Sequence, residues 1–148
     1  MNAAPKLVAY SALTILLALY VVGIVSHGVV RHIVQTLPLW FPILLGLRRR
    51  EIAKWASLPC FIIWLALMIL IWLFLLGVAN VISGNLTPLE VVLTLVVGIA
   101  SLAGLVAGFR WRTSFSWGKA LFIAAIFAVL HLVALRISFL PGIARDRF

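Results

Sequence analysis

Carboxylates are almost missing from this chain. Glu51, Glu90 and Asp146 are the only acids among 148 residues. Spread so widely, they offer no pair for general acid–base work and no cluster for a carboxylate-held metal. Cysteine is scarce too. Cys60 stands alone, which excludes an intrachain disulfide and a thiolate metal site, and it reads as a small buried apolar side chain. No glycine loop for phosphate and no nucleophile–base pair at useful spacing is present, so an enzyme is not the expectation. Charge of both signs together makes up 10% of the chain, against about 25% in a soluble domain. That is too little to build a water-facing shell.

What the chain does have is apolar length. It is 66% hydrophobic with a mean hydropathy of +1.26. Leu7–Ser26, Leu58–Ala79, Pro88–Phe109 and Gly118–Leu140 each supply the roughly 20 apolar residues that a membrane-spanning helix needs. Backbone groups at membrane depth must bond within the chain, so these runs predict an all-α integral membrane protein, with residues 1–148 forming one transmembrane domain. The run from Leu7 to Val25 is longer than a signal-peptide core and no small-residue cleavage site follows it, so it reads as a retained first helix.

One segment is ambiguous. Gly28–Leu47 carries Arg31, His32 and Gln35 early and is interrupted by Pro38 and Pro42. If it crosses, the protein has five transmembrane helices and Ser26-His27-Gly28 is the turn of a hairpin. The alternative is four helices plus one interfacial or re-entrant segment. Twenty residues at about 1.5 Å each reach about 30 Å, and the "RRR" after Leu47 resembles a stop at a cytoplasmic face, so five is the favoured reading.

The cations set an orientation. "RRREIAKW" after Leu47 carries four and "RWRTSFSWGK" after Phe109 carries three, whereas "NVISGNLT" between them carries none. Positive loops stay inside, which predicts a multi-pass protein of a bacterial inner membrane with its C-terminus external. Arg145 and Arg147 run against that assignment. Trp40, Trp55, Trp111 and Trp117 fall near the proposed inner interface, where indoles prefer to sit. The net charge of +9 therefore points to anionic lipid headgroups at the cytoplasmic face rather than to nucleic acid.

Helix contacts in lipid rely on small residues. Ala100, Gly104 and Gly108 form one stripe and Ala120, Ala124 and Ala128 another, on consecutive helices, which predicts antiparallel packing with Gly104 near Ala124. Trp64, Met68 and Trp72 share a face that reads as packing or lipid contact.

The candidate site lies on the external side. Glu90, Thr94, Ser101 and Gly108 share one small or polar face of their helix. His131 and Arg136 sit across from its outer half. In the five-helix reading, His27, Arg31, His32 and Gln35 reach the same level. These residues predict one outward polar cluster of Glu90, His131, Arg136, His27, Arg31, His32 and Gln35, with surplus positive charge suited to an anionic group. A structural Glu90–Arg136 pair and interfacial histidines are the simpler alternative. Function reads as a non-enzymatic interaction or assembly subunit, or a small transporter-like bundle, with a membrane protein partner or a second copy as its associate.

A haem- or quinone-binding redox subunit is the alternative. His131 with His27 or His32 would supply the two axial ligands of haem b. "HGVVRH" resembles the G-x-R-H stretch of the cytochrome b subunit of succinate dehydrogenase, over those six residues only, with a different histidine spacing. The chain is also similar in length and helix number to the small membrane enzymes of eicosanoid and glutathione metabolism, but lacks their Arg, Asn and Glu motif. A zinc or copper site is disfavoured, because His27 and His32 diverge on a helix and no acid cluster joins them.

Overall fold

The computed structural model describes residues 3–79 and 86–144. Its elements are α1 (Ala4–Val25), α2 (Val29–Thr36), a 3-10 turn (Leu37–Leu39), α3 (Trp40–Leu47), α4 (Ile52–Leu75), α5 (Pro88–Arg110), α6 (Trp117–Ser138) and the short α7 (Pro141–Ala144). No strand occurs among the described residues. Five segments are long and apolar enough to cross a membrane: α1, the run Val29–Leu47, α4, α5 and α6. The protein is a multi-pass, all-α bundle, and the ambiguous segment is its second span. Pro38 lacks an N–H and would break an α-helical ladder, but the chain tightens locally into the 3-10 turn and continues. The Thr36 hydroxyl bonds the carbonyls of His32 and Ile33 just before that turn.

The helix ends follow from local chemistry. α1 stops at a Schellman-type cap: the Gly28 N–H bonds the Gly23 carbonyl at 2.8 Å, and His27 takes the left-handed φ of 53°. Ser26-His27-Gly28 is thus the hairpin turn, and it is tight. A Cβ on Gly23 would stand 3.1 Å from the Val29 Cα. α5 begins with a capping box: Thr87 accepts from the Glu90 N–H, and Glu90 accepts from the Thr87 N–H at 2.7 Å and from its hydroxyl at 2.8 Å. Pro88 at the first helical position reinforces that start.

The connections after α3 and α5 share one end of the bundle, here the basic end. Lys6, Arg48, Arg49, Arg50, Lys54, Arg110, Arg112 and Lys119 gather there. The Glu51 carboxylate accepts from the backbone N–H and the hydroxyl of Ser114, each at 2.8 Å, and the Lys54 ammonium donates to the Trp111 carbonyl at 2.7 Å. Trp55 donates to the Thr113 hydroxyl and meets Trp117 edge-on at 6.2 Å. Trp55, Trp111 and Trp117 lie at that end, with Trp111 buried, whereas Trp40 opens α3 about two turns short of it.

Lateral packing departs from expectation. α1 lies along α5, and α4 packs on both α5 and α6, but α5 and α6 do not lie against one another. The expected Gly104–Ala124 contact does not form. Gly104 instead faces Phe61 of α4 so closely that a Cβ would stand 2.5 Å from the ring, and Gly108 faces Leu58. The small stripe on α5 does serve a close crossing, with a different partner. α2 closes the circuit by packing on α1 and α6.

This arrangement fills one half of the bundle and leaves the other half open. Val8, Ala12, Ile15, Ala53, Phe61 and Leu105 form a dense core toward the basic end. At the opposite, far end the helices enclose a cavity.

Candidate functional site

The cavity has a volume of about 590 Å³, and every one of the five spans contributes to its wall. It starts near the helix ends, at Ser26 and Glu90, and reaches Trp64 and Val97 near mid-span. Its deep part is apolar, built from Leu19, Leu67, Met68, Leu93 and Val97. Its polar lining is Arg31, His32, Gln35, Glu90 and Thr94, with Arg31 and Glu90 nearest the helix ends. A ligand held there would have its head near the helix ends and its body in an apolar shaft.

Helix phase explains which side chains arrive. α2 starts at Val29, and residues 31, 32 and 35 turn toward α1 and α6. His32 and Gln35 are buried and Arg31 is half-buried. The His32 Nδ1–H donates to the Gly28 carbonyl at 2.8 Å, which fixes the ring against its own turn. The Gln35 amide donates to the Ser138 hydroxyl at 3.0 Å, tying α2 to α6. Arg31 lays its guanidinium over the Phe139 ring, 4.8 Å from the centroid, while its Nε is buried without a hydrogen-bond partner. Glu90 is 9% exposed, and its carboxylate is committed to the Thr87 cap. The Trp64 Nε1 is also buried and unpartnered.

Four of the seven sequence-derived residues therefore meet: Arg31, His32, Gln35 and Glu90 line one cavity. Three do not join its wall. His27 is exposed and belongs to the cap of α1, not to the face of α2, because the helix begins two residues later. Arg136 is exposed as well. It precedes the buried Ser138 by two residues, and at about 100° per residue it points to the other side of α6. The expected pairing of Arg136 with Glu90 gives way to the capping box, and the surplus of two guanidiniums over one carboxylate becomes one of each. His131 is fully buried, but stands behind the wall: its ring meets Trp64 edge-on at 5.7 Å with an interplanar angle of 88°, and both ring nitrogens lack partners. His131 and His32 accordingly do not face a common space as two haem ligands would. No group of three metal-ligating side chains converges among the described residues.

Sequence reasoning passed over part of this wall. Trp64 and Met68 are buried in the core, as the packing reading of the Trp64, Met68 and Trp72 face expects, but that reading did not show that both also line the cavity. Ser138, with the hydroxyl that fixes Gln35, gave no signal, since a lone serine at a helix end carries no periodicity.

The site's geometry alone carries the functional argument: no protein-family model, no curated protein and no solved structure matches this chain.

Proposed function

We propose that this protein is a non-enzymatic component of a bacterial inner membrane that binds the anionic head of an amphiphile in its far-end cavity. The basic end faces the cytoplasm in this reading, and the cavity and the C-terminus face outward, following the cation distribution. The observation that carries it is the Arg31 guanidinium at the mouth of an apolar shaft. The Glu90 carboxylate accepts from the Thr87 N–H and hydroxyl and makes no contact with Arg31. A guanidinium cannot shed its proton, and its planar fork matches phosphate or carboxylate. A volume of about 590 Å³ lies within the usual range of roughly 300–1,000 Å³ for small-molecule sites. The apolar depth selects a molecule with a hydrocarbon part.

The test is ligand-linked stability. A ligand that binds only the folded protein raises its unfolding temperature. In detergent, phosphatidylglycerol is expected to raise that temperature more than phosphatidylcholine does, and Arg31→Gln to abolish the difference. Glu90→Gln keeps an acceptor for the Thr87 cap while removing the only carboxylate in the wall, so it should enlarge the difference. Equal responses to both lipids in the native protein would overturn the reading, as would an unchanged difference in Arg31→Gln.

A further inference from the structure

A second hollow lies back to back with the first. It is a groove of about 330 Å³ on the outer surface between α4 and α5, lined by Leu65, Ile69, Trp72, Leu95, Ile99 and Leu102 among others. Ile69, Leu95, Ile99 and Leu102 are all exposed, so the groove opens sideways, toward the lipid. Met68 and Thr94 belong to the walls of both hollows. Among the described residues, these two side chains line both hollows from opposite sides of the α4–α5 contact.

That contact is pliable. Gly98 presents no side chain opposite Met68; a Cβ placed there would lie 3.8 Å from the Met68 Cβ. Methionine is unbranched, with three rotatable bonds, and readily changes shape. The Thr94 hydroxyl is bonded to the Val91 carbonyl of its own helix at 2.7 Å, so it is not held by α4. α4 and α5 pack closely along their length, and at this point their contact is made by a glycine, a methionine and a threonine bonded to its own helix.

We infer that the seam between α4 and α5 is a lateral portal, through which one acyl chain of an anionic phospholipid runs from the cavity past Met68 and Thr94 into the outer groove. This rests on the reading that Arg31 holds an anionic head in the cavity. It adds the ligand's class and origin: a long-chain phosphate lipid taken from the leaflet at the far end, rather than a soluble anion entering from water. The groove shares Met68 and Thr94 with the cavity wall and is otherwise lined by apolar side chains, so the part of the ligand that occupies it is hydrocarbon.

The seam can be stapled. The Cβ separation of 3.8 Å between positions 68 and 98 equals the mean of about 3.8 Å across a disulfide. A Met68→Cys/Gly98→Cys pair, in a Cys60→Ala background, would close the portal on oxidation and free it on reduction. Gly98→Leu blocks the same seam without redox chemistry, and its Cβ meets only ordinary contacts. Binding of two probes with one headgroup is then compared: dioleoyl phosphatidylglycerol, and dihexanoyl phosphatidylglycerol, whose six-carbon chains are too short to need the outer groove.

Oxidation, and Gly98→Leu independently, should weaken the long-chain probe about tenfold, or about 1.4 kcal/mol, because its chain then has no path out of the cavity. The short-chain probe should bind Gly98→Leu as it binds the native protein and should bind the oxidised and reduced cysteine pair equally, and reductant should restore the long-chain probe in the pair. Undiminished long-chain binding in both closed forms overturns the portal, and so does equal loss of both probes, which would make the seam a support of the head site. If Arg31→Gln leaves both probes bound as before, the headgroup reading fails, whatever the seam does.

Discussion

Gln35 and Ser138 are 103 positions apart and join at 3.0 Å inside the bundle. The bond links the second span to the last, and its acceptor hydroxyl donates in turn to the Leu135 carbonyl at 2.6 Å. Hydrogen bonds between membrane helices average about 0.6 kcal/mol and reach about 1.7 kcal/mol. A double-mutant cycle of Gln35→Ala and Ser138→Ala should give a coupling energy in that range in detergent unfolding. Strict additivity would mean that the two side chains do not support each other.

Gly104 and Ala124 are expected to differ. The Gly104 site has no room for a Cβ beside Phe61, whereas Ala124 is half-exposed on α6 away from α5. Gly104→Ala should cost about 1–3 kcal/mol, as overpacking does, and Phe61→Leu in the same chain should recover part of it. Ala124→Leu should change stability little. Equal destabilisation by the two substitutions would contradict the packing described.

His27 occupies the left-handed region at φ 53°, where a side chain is strained and glycine is not. His27→Gly should raise stability by about 1 kcal/mol, the order of the left-handed penalty for an L residue. The side chain is exposed, so no packing is lost. Unfolding midpoints of the two forms decide the matter. A marked destabilisation would assign the imidazole a role beyond the turn.

Membrane orientation is open to direct measurement. Reporter fusions in the connections near residues 50 and 114 should behave as cytoplasmic, and alkaline phosphatase fused after Phe148 should be active in the periplasm. A cytoplasmic C-terminus would invert the scheme and turn the cavity toward the cell interior.

Much of the architecture was legible in the amino-acid order. Hydropathy runs count spans, because each must supply its own membrane length of apolar residues and satisfy its own backbone. Position along a span gives depth, so Arg31 and Glu90 were legible as neighbours in level. Cap chemistry is local as well, and Thr87-Pro88-Leu89-Glu90 announces the start of α5.

Which helices touch, and which way each is turned, is not local. Small-residue stripes are interchangeable partners at the level of sequence, and only the closed circuit of α1, α5, α4, α6 and α2 decides that Gly104 meets Phe61 rather than Ala124. The same packing turns Ser138 and His131 inward and Arg136 outward, and so halves the cationic charge that depth alone assigned to the site. The cavity itself belongs wholly to the tertiary structure: it exists because five helices meet tightly toward the basic end and leave space among them at the other, and no single helix carries the record of that space.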